Sequence, residues 1–465
     1  MNVDIAIVCV YLVATLIVGL WAGRNVKTMR DFSVSDGTFS TTVLTMTIMA
    51  TWVGGNDLIG VGEKVFKFGI TFTLAIALGC FIKLIIEALM APKIVSDFSD
   101  KMSIGEIMGT LYGRTGQLIC SIGSVMYHIG FTTVQVSSMG YICEALLGIP
   151  HIYGCIIGSF IVIAYSIAGG IRSVVFTDVL QFFVLLVGIP LIGSIALGCI
   201  GGFTGLTCRL PVHYYHVSNF PSDEFVYCMM LFLVYCFPNL APAMIQRMLM
   251  ARSPKQAVNS IFITSLLTVP FYSIVSIIGL CAVVMFPSGD PNHAIINVIR
   301  YSLPTVLKGI AISGILAVIM STADSLLNTA AVSVSDAVNS IMPRKLEDRK
   351  ELLLARASTV ILGFLSIFIA VHFYSLVEIW VFFGNFWTPI VCPPIFLYIL
   401  FNIKTSVRTY VVSVLMGGGA ILAYRYLVPE VYKSISLVVG ALIGTIIMFI
   451  LYKIEQKCRA TSSRD

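Results

Sequence analysis

Two long stretches of this chain, residues 179–208 and 257–289, hold no charged residue at all. A backbone that enters hydrocarbon has to satisfy its own N–H and C=O groups, and a helix of about 18 or more apolar residues does so. Composition extends the point to the whole chain. Only 11% of the 465 residues are charged and 58% are apolar or aromatic, whereas about a quarter of the residues in a soluble domain carry charge. Polar side chains are too few to coat a soluble surface. The sequence predicts an all-α membrane protein.

The apolar runs predict about thirteen transmembrane helices, at 3–23, 41–68, 70–91, 116–147, 151–168, 174–201, 225–248, 258–287, 302–340, 354–374, 376–401, 407–427 and 433–453. Arg24, Lys27 and Arg30 follow the first run, and only Asp4 precedes its core. A cleaved signal peptide has the opposite arrangement, so the first helix is expected to stay, with the N-terminus outside and the C-terminus in the cytoplasm. Short loops and tails suit a bacterial inner membrane. Most of the cysteines sit inside apolar runs, where they read as small packing residues, and the histidines show no metal-ligand spacing.

Two of the runs are interrupted. One carries Trp52-Val53-Gly54-Gly55-Asn56-Asp57 in its middle, and another, five spans later, carries Phe237-Pro238-Asn239-Leu240-Ala241-Pro242. Paired glycines weaken a helix, and proline removes a backbone donor and clashes with the preceding turn. Interruptions at matching places in two halves are the sequence sign of an inverted-repeat transporter. The expected architecture is one transmembrane domain over 1–465. It comprises an extra N-terminal helix (3–23), a first five-helix repeat (41–201), a second inverted repeat (225–401) and two C-terminal helices (407–453). Unwound backbone at mid-membrane frees carbonyls and helix ends to coordinate cations and polar solute groups.

Residues 317–325 (Ala-Val-Ile-Met-Ser-Thr-Ala-Asp-Ser) put a hydroxyl-rich turn inside the apolar ninth run. A lone Ser or Thr in such a helix bonds back to its own backbone. Ser321 and Thr322 side by side, with Asp324 and Ser325 just behind, supply the oxygens a dehydrated sodium ion needs. A membrane-embedded carboxylate is costly and marks an ion, proton or substrate site.

The run 47–55 (Thr-Ile-Met-Ala-Thr-Trp-Val-Gly-Gly), the loop 169–181 (Gly-Gly-Ile-Arg-Ser-Val-Val-Phe-Thr-Asp-Val-Leu-Gln), the pair Gln246-Arg247 and residues 317–325 together resemble the sodium:solute symporter family. That family includes proline permease, the sodium/glucose cotransporters and the high-affinity choline transporter, and the motifs look most like the choline branch. The resemblance implies a LeuT-like fold and sodium as the coupling ion. It also implies a sodium site made of the Ala50, Val53 and Val318 carbonyls and the Ser321 and Thr322 hydroxyls. A second sodium site of some relatives would map onto Thr51, Asp178, Asp324 and Ser325. Asp178 is equally open to a structural role, anchoring Arg172.

The residues beside the breaks, Trp52, Asp57, Phe237, Asn239 and Ala241, together with Phe131, are the candidate solute contacts. Trp52 offers a ring face to a cationic ammonium. The choline branch cages its ligand in aromatics, but Cys80 and Ala241 stand where two of those rings belong, and only Phe131 keeps one. Asp57 is open to two roles, binding a solute amine or pairing with Lys64. Lys83 and Glu87, spaced i, i+4, predict an internal salt bridge. The reading is a sodium-coupled symporter of a small organic solute, an amino acid such as proline or a quaternary amine such as choline or betaine, working by alternating access with no nucleic-acid partner. A passive channel and a transporter-like sensor are the rival classes. Polar residues that cluster at two breaks argue against a channel stripe, and no output domain supports a sensor. No nucleophile–base pair, metal cluster or phosphate loop suggests an enzyme.

Overall fold

A computed structural model describes residues 3–35, 38–218, 221–372 and 376–462. Among them the regular structure is helical. The helices are α1 (Val3–Gly23), α2 (Met29–Ser33), α3 (Thr41–Trp52), α4 (Gly55–Phe98), α5 (Ile104–Ile142), α6 (His151–Gly169), α7 (Ile171–Cys199), α8 (Gly202–Arg209) and α9 (Asp223–Cys236). They continue with α10 (Pro242–Leu249), α11 (Pro254–Met285), α12 (Ala294–Ser302), α13 (Leu307–Ile341), α14 (Asp348–His372), α15 (Leu376–Phe401), α16 (Val407–Leu427) and α17 (Ser436–Ser462).

Local sequence sets many of these ends. Ser40, Ser103, Ser222, Ser253 and Ser406 each accept a bond from a free backbone N–H in the first turn of the helix that follows. Among the described residues, 10 helices are long and apolar enough to cross a membrane. α3 (12 residues), α9 (14 residues) and α10 (8 residues) fall short because they are the fragments of the interrupted runs.

Several boundaries moved; the fourth run, for one, starts at Ile104 rather than 116 and passes through a kink at Tyr112-Gly113. The runs predicted at 41–68 and 70–91 are divided at 53–54 rather than at 69, and helix continues from Gly55 to Phe98 through a kink where Gly69 takes φ 56°, ψ −138°. The ninth run starts at Leu307, since Leu303 and Val306 leave helical geometry, Val306 at φ 78°.

α13 is the central helix: 94% of its apolar window is buried inside the protein, against 28% for α1. Small residues let its neighbours close on it. A Cβ at Gly188 of α7 would lie 3.2 Å from the Gly314 Cα of α13. The same device joins α1 to α6, where a Cβ at Gly169 would come within 2.4 Å of the Gly23 Cα. Between lipid-embedded helices this close approach replaces the missing hydrophobic drive.

A candidate ion and solute site at the two helix breaks

The first break is a helix end built in mid-run. α3 stops at Trp52, Val53 is extended at φ −89°, ψ 114°, and α4 restarts after Gly54. The Gly54 N–H, which an unbroken helix would give to the Ala50 carbonyl, instead binds the Asp57 carboxylate at 3.0 Å. The Gly55 N–H goes to Gln135 Oε1 at 2.9 Å. Neither glycine is needed for its φ. They are needed for space: a Cβ on Gly55 would meet Ile319 at 3.0 Å, and one on Gly54 would meet Gln135 at 3.0 Å and the Thr322 hydroxyl at 3.3 Å.

The released carbonyls meet the hydroxyl turn of α13. Ser321 Oγ donates to Ala50 O at 2.9 Å and to Val318 O at 3.0 Å. Thr322 Oγ1 donates to Val53 O at 2.8 Å, with Val318 O at 3.2 Å and Ala50 O at 3.5 Å. All five oxygens predicted for sodium therefore share one buried place. Hard oxygen donors from two helices form the donor set that a dehydrated alkali cation requires, and each hydroxyl can turn its proton aside to offer a lone pair.

The second break lies between Cys236 and Pro242. Leu240, fully buried, is held at φ 48°, an arrangement costing a non-glycine residue about 1–2 kcal/mol. Trp387 of α15 fixes it, its indole N–H donating to Asn239 O at 2.9 Å and Leu240 O at 3.2 Å. Phe131 stacks on Tyr127 with centroids 4.2 Å apart. Phe237 packs edge-on against Phe396 at 5.8 Å. Trp52, Phe131, Asn239 and Ala241 are half-buried, while Phe237 is buried.

Three pairings differ from the sequence reading. Lys83 and Glu87 form no ion pair among the described residues. The Lys83 ammonium instead lies over the Trp52 ring, 4.4 Å from its centroid, because that ring reaches it from the first break. Both Glu87 carboxylate oxygens, the Trp52 indole N–H and Asn239 Oδ1 are buried with no hydrogen-bond partner among the described residues. Asp57 does not pair with Lys64, which sits 3.6 Å from Glu63. It caps the start of α4 and accepts a bond from the Tyr272 hydroxyl at 2.8 Å. Asp178 forms no ion pair with Arg172 among the described residues and stands 3.7 Å from the Arg247 guanidinium.

Arg247, read in the sequence only as half of the Gln246-Arg247 motif, stands inside the site. It is fully buried on α10. Its guanidinium donates to Thr47 Oγ1 at 3.2 Å, Thr51 Oγ1 at 3.0 Å and Ser325 Oγ at 2.6 Å. Asp178 also accepts a short hydrogen bond from Thr47. Asp324 accepts from the Tyr165 hydroxyl at 2.6 Å and Thr177 at 3.2 Å. Tyr127, Tyr165, Gln135 and Trp387 were likewise missed. An arginine five residues after a proline-marked break was the available signal for the first of these groups.

A model of the sodium:solute symporter family matches residues 32–417, most of the chain and every element of the site. The chain belongs to the sodium:solute symporter family. Its relatives are transporters and not enzymes, and sodium is the coupling ion of the family. The symporter is 22% identical over 389 residues to the osmoregulated proline transporter OpuE of Bacillus subtilis, covering 80% of this chain and 78% of that one. It is 23% identical over 456 residues to the high-affinity choline transporter 1 of Drosophila melanogaster, covering 91% and 72%. Its fold is that of a Na+-coupled sialic acid symporter solved in a substrate-bound outward-open state, with a TM-score of 0.84 at 18% identity and 98% of both chains covered. Family and apolar helices together make the chain an integral membrane protein that carries out sodium-coupled symport of an organic solute.

Proposed function

We propose that this symporter binds sodium among Ala50, Val53, Val318, Ser321 and Thr322 and carries a small zwitterion of the amino-acid type beside it. The observation that carries the solute class is the Lys83 ammonium 4.4 Å from the Trp52 centroid. That ring face is where a quaternary amine would sit, and a fixed positive charge already holds it. The same charge attracts a carboxylate, and the unpartnered Glu87 oxygens suit a protonated amine. Proline-like solutes answer both demands, whereas choline has no carboxylate and, with no N–H on its nitrogen, offers Glu87 only its charge. Trp52, Phe131, Phe237, Asn239 and Ala241 would enclose the solute's apolar part, while Asp57 holds the break in shape.

Adding α5 and the two interrupted spans to the ten long apolar helices supports thirteen crossings, with two inverted repeats over 41–201 and 225–401. Arg24, Lys27 and Arg30 after α1 support an N-terminus outside and a cytoplasmic C-terminus in a bacterial inner membrane. Transport proceeds by alternating access, one helix group rocking against the other around the site. One sodium ion falling through ~100 mV and a tenfold gradient releases about 3.7 kcal/mol, enough for roughly 500-fold accumulation.

Proteoliposomes with and without an inward sodium gradient test the reading with labelled proline, other amino acids, choline, betaine and glucose. Sodium-driven uptake of amino acids with choline excluded is the expected result. Preferred uptake of choline or of an uncharged sugar would overturn the solute class.

A further inference from the structure

The end of the bundle proposed above to face the cytoplasm carries two lysines on one tyrosine ring. α15 stops at Phe401, and Asn402 takes φ 53°. The Asn402 N–H returns to Tyr398 O at 3.0 Å and the Ile403 N–H to Leu397 O at 3.1 Å, a left-handed cap that turns the chain back on its own helix. The turn lays Lys404 over the Tyr398 ring, its ammonium 5.5 Å from the centroid. Lys93 of α4 reaches the same ring from the neighbouring helix, at 4.9 Å, and donates to Asn402 Oδ1 at 3.1 Å. Arg408 follows in the first turn of α16 and is exposed. Among the described residues none of these three cations forms an ion pair. The acids of these elements are otherwise engaged. Asp97 accepts from the Tyr398 hydroxyl at 2.8 Å, Asp100 pairs with Lys101 at 2.6 Å, and Glu455 accepts from Ser406 and Thr409.

We propose that Lys93 and Lys404 hold the phosphodiester of an anionic phospholipid against α4 and the α15–α16 turn, with Arg408 adding charge at the rim. The ring attracts each ammonium, but the two ammoniums repel each other, and a phosphate shared between them removes that repulsion. The surroundings suit a lipid better than a dissolved anion. Leu89, one turn before Lys93, is 75% exposed, and Leu400 and Phe401, between Tyr398 and Asn402, are 67% and 62% exposed. In a membrane-spanning protein such side chains meet acyl chains, and the ammoniums stand where that apolar surface ends. Basic pockets between helices at this level are headgroup sites.

A headgroup seated here ties together two elements that serve the two breaks. α4 restarts the chain after the first break, and α15 carries Trp387, whose indole holds the second. The proposal rests neither on the sodium assignment nor on the identity of the solute.

The test is native mass spectrometry of the full chain, purified in detergent, stripped of lipid and offered phosphatidylglycerol and phosphatidylcholine with the same acyl chains. The parent is expected to retain phosphatidylglycerol about tenfold or more over phosphatidylcholine. The double variant Lys93→Gln/Lys404→Gln should lose that preference. Lys93→Arg/Lys404→Arg should keep it, and so should Arg209→Gln, a lost cation at the opposite end of the bundle. An excess of inorganic phosphate should leave the lipid in place. Equal retention of the two lipids by the parent overturns the proposal, as does a preference that survives in the glutamine pair. Displacement by phosphate also overturns it, since the site would then be one for a dissolved anion. Lys404 lies on an exposed turn, so Lys404→Gln alone serves if the pair does not fold, and an undiminished preference in it counts equally against the lipid site.

Discussion

Thr322 Oγ1 donates to the Val53 carbonyl oxygen across 2.8 Å, although the two residues are 269 positions apart. The contact joins a carbonyl released by an interrupted helix to a hydroxyl on a continuous one. The last carbonyls of a helix have no partner inside it, and a buried carbonyl without a partner is costly. In this protein the break creates the need and α13 supplies the answer, in a form that a cation can displace.

Removing either hydroxyl should therefore weaken sodium binding more than it weakens folding. Ser321→Ala and Thr322→Ala are each expected to raise the half-saturation concentration for sodium by about tenfold to a hundredfold, from a loss of ~1–3 kcal/mol. Thr322→Ser keeps the oxygen and should stay close to the parent. Sodium-activation curves of uptake provide the measurement, and unchanged curves for both alanine variants would refute the site.

Lys83 should decide solute charge. Lys83→Met removes the ammonium over Trp52 and is expected to cost about ten- to a hundredfold in apparent affinity for a zwitterion, from ~1.5–3 kcal/mol for a charge-assisted bond. Inhibition by quaternary amines should rise at the same time, because the ring face is freed. Competition assays with proline and choline on the two proteins give both quantities. A variant with unaltered proline affinity would show that the lysine faces away from the solute.

Gly55 should tolerate nothing larger. Its Cβ position is 3.0 Å from Ile319 and 3.2 Å from the Ser138 Cβ, and overpacking of this kind costs ~1–3 kcal/mol. Gly55→Val is expected to lower the thermal midpoint in detergent and to abolish sodium-dependent uptake, since it pushes α13 away from the released carbonyls. Uptake at parental rates would contradict the packing described here.

Val306 offers a change in the opposite direction. It holds φ 78° while 45% exposed, so its side chain contributes little burial and its backbone is strained. Val306→Gly should stabilise the protein by about 1 kcal/mol, seen as a higher melting temperature with uptake preserved. A lower melting temperature would show that the valine side chain matters more than the backbone.

Much of this fold could be read from the chain because lipid leaves few options: Gly54-Gly55 and Pro238…Pro242 marked both breaks, and the order of the motifs implied the five oxygens proposed here for sodium, which the fold brings together. What stayed hidden was the choice among partners. Lys83 has Glu87 one turn away on its own helix, and spacing favoured that pair. The Trp52 ring, brought in from another segment, took the ammonium instead. Arg247 follows a short apolar stretch, where a cation normally reports the cytoplasmic edge, and only the packing of α3, α4 and α13 around α10 shows it enclosed. Asp57 does not pair with Lys64, because the backbone N–H of Gly54 and the Tyr272 hydroxyl hold its carboxylate.

The enclosure of α13 bears on how the molecule is made. A helix with Ser321, Thr322, Asp324, Asn328 and Asp336 on faces that never meet hydrocarbon is a poor resident of the bilayer by itself. During synthesis α1, α5, α6 and α7 are already available to receive it, but α14, which packs along another side, emerges later. Biogenesis thus passes through a stage at which α13 is inserted and half-sheathed, and stopping translation there should expose a nascent chain to quality control.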